Sequence, residues 1–74
     1  MERYFFNHRD ADGHLEMDID GIILPSLNNA LDEASFAARG AVALAEQQTE
    51  GCFEIEDAGR RLVARVPYAV RDEN

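Results

Sequence analysis

Cysteine, proline, tryptophan and lysine are rare or absent in this sequence. Its 74 residues include one cysteine, two prolines, no tryptophan and no lysine. Cys52 has no partner for an internal disulfide, and a lone cysteine fits a reducing compartment. No Cys/His spacing matches a zinc site. We therefore expect a single domain over residues 1–74, with no cofactor, no bound metal and a cytoplasmic location.

Positive charge and long hydrophobic runs are also scarce. Seven arginines face 15 acidic residues, which gives a formal net charge of −8 and a pI of about 4.5. Nucleic-acid binders need basic patches to displace counterions from phosphates, so we expect neither nucleic acid nor an acidic membrane as a partner. Apolar runs such as Ile22–Leu24 are far short of a membrane span, and the first residues lack a signal-peptide core.

Alternating residues near the start predict a first β-hairpin. Strands of about 3–9 and 14–20 flank the turn residues 10–13, where Asp-Gly tolerates positive φ. A loop of two or four residues puts one set of side chains on a common core face. That set is Tyr4, Phe6, His8, Leu15, Met17 and Ile19.

Helical spacing of apolar residues predicts one long helix over about 27–49. Ser26 is a plausible N-cap, although Asn28 or Asn29 would also serve, and Gly51 is the expected glycine just past the end. Residues 22–24 are interpreted as leaving the sheet. The core-facing stripe of the helix comprises Leu27, Leu31, Ala34, Ala38, Ala41, Val42 and Ala45.

Alternation returns in a second hairpin, with strands of about 52–57 and 61–66. Residues 57–60 supply its turn, and Pro67 ends it because proline cannot donate to the ladder. The predicted register has two cross-strand pairs, Ile55 with Leu62 on the core side and Glu56 with Arg61 on the outer side.

These elements add up to an α+β domain of order β-β-α-β-β. We expect two layers, a four-stranded antiparallel sheet with one long helix on one face. The opposite sheet face is left open to water or to a partner. The charged tail, residues 71–74, is expected to fray.

Several short motifs resemble a family of small bacterial proteins, a domain of unknown function met mostly in rhizobia and related alphaproteobacteria. The resemblance spans nearly the whole chain and implies a single-domain cytosolic protein with no assigned activity. The motifs are Arg3-Tyr4-Phe5-Phe6, the turn ending in Gly13, Asp18-Ile19-Asp20-Gly21 with Leu24-Pro25, Phe53-x-Ile55-x-Asp57-x-Gly59-Arg60, and Val66-Pro67-Tyr68.

Few residues suggest chemistry. His8 and His14 flank a turn that contains Asp10 and Asp12, and imidazole with carboxylate suits several divalent ions. In the predicted strands, however, the two histidines point to opposite faces, so we interpret the aspartates as turn formers. Cys52 has no basic neighbour in sequence to activate its thiol, which favours a small packing residue.

Exposed aromatic residues are the best indication of function. Phe36 lies about 200° around the helix from Ala34, hence opposite the core stripe. Gly40 and Ala43 lie near it on the same face, and Phe5 points to the open face of the sheet. Aromatic anchors of this kind are typical of association surfaces. We take Phe5, Phe36, Gly40 and Ala43 as the candidate interaction surface.

Three functions remain open from the sequence. The first is a non-catalytic interaction protein that forms a homodimer or binds another protein, with no enzymatic activity. The second is an antitoxin-like regulator whose acidic domain occupies the site of a basic partner protein. The third is a metal-binding or enzymatic hairpin at His8 and His14.

Overall fold

One helix lies on one face of an antiparallel sheet in the computed structural model, which describes residues 1–70. The predicted α+β class is confirmed, with about five strands instead of four. The tail predicted to fray, residues 71–74, lies outside the described residues. The elements are β1 (Glu2–Arg9), β2 (Leu15–Glu16), β3 (Ile22–Leu24), α1 (Leu27–Leu44), β4 (Thr49–Glu56) and β5 (Leu62–Val70).

The sheet has the order β2-β1-β4-β5, and β3 also pairs with β1. Strand β2 pairs with the end of β1, at His8 and Arg9, whereas β3 pairs with its beginning, from Glu2 to Tyr4. Of the second predicted strand, residues 14–20, only Leu15–Glu16 forms a strand. Residues 22–24, expected to leave the sheet, form a separate short strand.

The predicted register of the first hairpin is wrong by one residue. Leu15 lies opposite Arg9 and Glu16 opposite His8, which leaves residues 10–14 as a five-residue turn. A one-residue slip moves every side chain to the other face. Leu15 thus leaves the core face, and its side chain is 38% exposed; Met17 is 49% exposed and Ile19 85%.

Asn7 and Asp18 form side-chain hydrogen bonds that link β1 to the segment between β2 and β3, where the chain leaves the sheet. The Asn7 side chain is buried, and its Oδ1 accepts a hydrogen bond from the Asp18 N–H at 2.9 Å. The Asp18 carboxylate in turn accepts from the N–H groups of Phe6 and Gly21, both at 3.0 Å. These side chains replace the ladder bonds that the interrupted strand does not make.

Helix α1 begins as the sequence predicts and ends early. Ser26 is the N-cap, and its Oγ accepts from the Asn29 N–H at 3.3 Å. The helix stops at Leu44 because Ala45 takes an extended conformation, with φ −71° and ψ 131°. Gly51, the predicted stop, lies inside β4 instead.

The second hairpin is longer than predicted. Ile55 lies opposite Ala64, and Glu56 opposite Leu62 across a bulge, so the predicted Ile55–Leu62 and Glu56–Arg61 pairs are wrong. Strand β5 also continues past Pro67 to Val70. Because β5 is an edge strand, it tolerates proline where an interior strand does not.

The core lies between α1 and the middle of the sheet. Its buried residues are Tyr4, Ala30, Ala34 and Ile55, and the partly buried residues against them are Phe6, Leu24, Leu31, Phe53, Ala64 and Val66. Small alanines let the helix approach the sheet closely. None of the described residues forms a helix with both the length and the apolar character needed to cross a membrane.

Candidate functional site

The outward face of α1 carries the most exposed aromatic side chain of residues 1–70. Phe36 is 73% exposed, and Gly40 and Ala43 are exposed on the same side of the helix. A Cβ built on Gly40 would meet nothing within 4 Å. These three residues therefore share an open face, as predicted. Their role in association stays a prediction.

Charged side chains border this face. Asp32 and Glu33 are exposed in the first half of α1, and Arg39 is exposed in the second half. Within residues 1–70, none of the three forms an ion pair. Leu44, 84% exposed, extends the apolar surface to the end of the helix. We call the surface formed by Asp32, Phe36, Arg39, Gly40 and Ala43 the α1 face.

Phe5, the fourth residue of the predicted surface, is not exposed. Its side chain is 8% accessible, because the Arg60 guanidinium lies 3.8 Å above its ring centroid. Gly21 also lies close to the ring, since a Cβ there would come within 3.1 Å of Phe5 Cδ1. The prediction that Phe5 is exposed on the outer sheet face is therefore wrong. The covering residues come from distant turns, which strand alternation cannot reveal.

Arg60 is held in place by three interactions. Its Nε lies 3.0 Å from Glu56 Oε1, and its Nη1 donates to the Asp18 carbonyl oxygen at 3.0 Å. The third is the cation–π contact with Phe5, and such contacts contribute about 0.5–1 kcal/mol at exposed sites. The outer sheet face is thus closed at this end by a cation.

A second ion-pair group crosses the outer face from β1 to β5. Arg9 Nε donates to Glu54 Oε2 at 3.0 Å, and Arg65 Nε lies 3.8 Å from the same oxygen. The hydrogen bond from Arg9 lowers the pKa of the Glu54 carboxyl. The cross-strand charge pair expected at Glu56 and Arg61 is found instead at Glu54 and Arg65, which lie opposite each other in β4 and β5.

An aromatic cluster that the sequence did not indicate lies on the helix side of the sheet. His8 Nε2 and Tyr68 Oη are 2.7 Å apart, and the His8 ring stacks on Phe53 with centroids 4.7 Å apart. The Tyr68 ring crosses Gly51, where a Cβ would come within 2.8 Å of Tyr68 Cε2. Burial raises the pKa of Tyr68, and the charge of Asp10 adds to the effect.

The two histidines that suggested a metal site have different partners. His8 is engaged with Tyr68, whereas His14 Nδ1 lies 3.6 Å from Asp10 Oδ2. The side-chain ligand atoms of Asp10, Asp12 and His14 do lie within 4.8 Å of one another. Asp10 Oδ1, however, accepts from the N–H groups of Asp12 and His14, at 3.0 and 2.9 Å.

These backbone hydrogen bonds, chiefly the one from His14, lower the pKa of the Asp10 carboxyl. They are the bonds of an Asx turn, which is the interpretation that the sequence favoured. Cys52 is half-buried in β4, and its Sγ lies 3.6 Å from the Phe53 carbonyl oxygen. This placement fits a packing residue.

Together, these features define a small α+β protein with ion pairs across its outer sheet face and an exposed outward face on its helix. Residues 3–69 match the model of a domain of unknown function, DUF6894, and the chain belongs to that family. No curated protein and no solved structure matches the chain.

Proposed function

We propose that the chain is a non-catalytic protein-interaction module that works as a homodimer. The observation that carries the proposal is the balance of buried and exposed apolar residues. Within residues 1–70, twelve large hydrophobic side chains are exposed, whereas six hydrophobic residues are buried and three of those are alanines. A single copy therefore leaves much of its apolar surface in water.

Association offers the stabilisation that the monomer's core does not supply. Full burial of one large apolar side chain contributes about 1.5–3 kcal/mol. A chain of this size has a thin core, and natural proteins of similar length rely on disulfides, metals or oligomerisation. Cys52 is the single cysteine, so an internal disulfide is excluded. Self-association is the route that fits this chain.

The side chains that suggested chemistry are engaged in holding the fold. His8 is bonded to Tyr68, and Asp10 accepts the N–H groups of its own turn. These contacts support a binding role over an enzymatic or metal-dependent one. The proposal takes the chain to be a small bacterial protein of the cytoplasm, where a lone cysteine stays reduced.

The solution mass tests the proposal directly. We expect light scattering at high micromolar concentration to give twice the 8.3 kDa of one chain. A mass equal to one chain at that concentration would remove the proposal.

A second candidate function, an antitoxin-like regulator of a basic partner protein, is favoured by one other surface. Leu15, Met17 and Ile19 are exposed beside β1 and alternate with Glu16, Asp18 and Asp20. This surface, the acidic edge, offers apolar side chains and negative charge to the same partner. Charge complementarity of that kind speeds encounter and selects partners.

Salt and one substitution separate this candidate from non-specific capture. The tagged chain should retain a basic protein from cell extract at low salt and release it at high salt, because salt screens exposed charges. Ile19→Asp should reduce that retention, and Leu44→Asp, at an equally exposed position on α1, should not. If neither high salt nor Ile19→Asp changes the retention of the basic protein, this function is excluded.

A further inference from the structure

The α1 face has a pattern of charges that is complementary to itself. Asp32 lies four residues before Phe36, and Arg39 lies three residues after it. Residues at these spacings share one side of a helix, so an acid, an aromatic ring and a base follow one another along the same face. All three are exposed.

Nothing within α1 pairs with Arg39. Residues three and four positions away are neighbours on a helix surface. For Arg39 they are Ser35, Phe36, Val42 and Ala43. No carboxylate of residues 1–70 lies within ion-pair distance of it either. Gly40 is similarly unexplained inside one copy, because a Cβ there would meet nothing within 4 Å. Glycine in a helix interior lowers helix stability, so its presence calls for a close contact from outside.

We propose that a second copy of this chain binds the α1 face, with the two helices antiparallel about a two-fold axis near Phe36. This axis reverses the chain direction of the second helix. It also places the side chains from one side of the helix, in both copies, along the same edge of the pair. Asp32 of each copy then lies opposite Arg39 of the other, since their midpoint falls beside Phe36. The two Phe36 rings meet at the centre.

The geometry of a close helix pair explains the small residues beside the ring. Helix axes pack about 8–10 Å apart, depending on the side chains at the contact. Gly40 and Ala43 leave room for the partner helix on either side of the central Phe36 pair. An interface in which each patch binds its own copy is the usual arrangement in two-fold dimers.

Two other exposed surfaces of residues 1–70 suit a second copy less well. Pairing two acidic edges would place Glu16, Asp18 and Asp20 of one chain against those of the other, and like charges opposed across strands are destabilising. The free edge of β5 carries Arg65 and Pro67, residue types that prevent strand addition at sheet edges. The α1 face pairs unlike charges instead.

This inference rests on the proposed homodimer and specifies its surface. A charge-reversal cycle tests it, with the dimer dissociation constant measured by sedimentation equilibrium. Asp32→Arg alone and Arg39→Asp alone should each raise the dimer dissociation constant about tenfold or more. Each single reversal places like charges opposite each other at both symmetry-related positions of the interface. The double variant, Asp32→Arg with Arg39→Asp, should restore the dissociation constant to within about threefold of the wild-type value, because it exchanges the two charges of each pair.

Glu46→Arg is the matched control. It makes the same change of net charge as Asp32→Arg, at an exposed position beyond the end of α1. The dissociation constant should stay within about twofold of the wild-type value, since salt screens charges that lie more than about 10 Å apart. Far-UV circular dichroism of each variant confirms that the fold is kept.

The outcomes separate this inference from the proposed function. Restoration of the dimer by the double variant supports the antiparallel α1 pair. The wild-type chain could form a dimer while the double variant fails to regain the wild-type dissociation constant, or while the single reversals leave that constant unchanged. Either result overturns the α1 pair but leaves the proposed homodimer intact. A wild-type chain that is monomeric at high micromolar concentration overturns both.

Discussion

Gly51 shows how one residue's role depends on a neighbour 17 positions away. It lies in an extended strand, where its backbone needs no special conformation. Its small size matters because the Tyr68 ring crosses it to reach His8. From the sequence alone, Gly51 was interpreted as a helix stop, which is the commoner reason for a glycine after a helix.

We expect Gly51→Ala to lower the free energy of unfolding by about 1–3 kcal/mol, the usual effect of adding volume to a packed site. The added methyl group would overlap the Tyr68 ring and separate it from His8. Urea unfolding at a fixed chain concentration measures the change. Tyr68→Ala provides the control background, in which Gly51→Ala should have much less effect. An equal effect in both backgrounds would show that the tyrosine is not the cause.

Glu54 gives a prediction about pH. Its pKa is lowered in the folded chain, chiefly by the hydrogen bond from Arg9. A lowered pKa adds stability above the unfolded value, about 4.3 for glutamate, and that stability is lost as the pH falls through the folded value. We therefore expect Glu54→Gln to reduce the free energy of unfolding at pH 7 more than at pH 3.

Unfolding curves at the two pH values, at one chain concentration, measure the difference. Glu46→Gln removes the same charge from an exposed residue that has no ion pair within residues 1–70. It controls for the change in net charge. A Glu54→Gln effect that does not depend on pH would contradict the role of the Arg9 contact.

The start of α1 can be predicted better than its end, because the residues that set the start are close together in the sequence. Ser26 caps the helix through its own hydroxyl, and that geometry involves residues three apart. The sequence does not predict the end at Leu44, since residues 45–50 contain no glycine or proline to mark a stop. The start of β4 at Thr49 sets that end, and strand pairing is a distant interaction.

Gly40 yields a prediction about the helix itself. In dilute solution, where single chains predominate, Gly40→Ala should raise the free energy of unfolding by about 1 kcal/mol, because alanine is the better helix former. Nothing within 4 Å opposes the added methyl group. Ala43→Gly, on the same face, is the matched control and should lower stability by a similar amount. A loss of stability in Gly40→Ala would point to a contact within the chain.

The first hairpin illustrates how a small local error changes a whole face. The turn has five residues instead of two or four, and this odd length moves Leu15 to the other face. Met17 and Ile19 lie past the end of β2, outside any strand, and both are exposed. Turn length depends on the hydrogen bonds of Asp10, which hold the longer loop, and no periodicity in the sequence records them.

The whole molecule is elongated, with extents of 44 × 21 × 17 Å for residues 1–70. A shape this thin gives a helix and one sheet little interior to fill. If the homodimer is the stable form, dissociation precedes or accompanies unfolding. We expect the thermal midpoint to rise with chain concentration, as mass action requires.

Differential scanning calorimetry over a hundredfold range of chain concentration measures that rise. Arg39→Asp, which opposes like charges in the proposed pair, should make the midpoint less dependent on concentration. A midpoint that stays constant for the wild-type chain across the range would argue for a protein that is stable as a single copy.

Four features can be predicted from the amino-acid sequence: the α+β class, the helix start, the two turn regions and the exposed position of Phe36. Each of these follows from periodicity or from contacts between residues a few positions apart. Only the folded chain reveals the strand registers, the burial of Phe5 beneath Arg60 and the His8–Tyr68 contact across Gly51. Those features depend on which distant residues meet, and that is fixed by how the sheet and the helix share one small core.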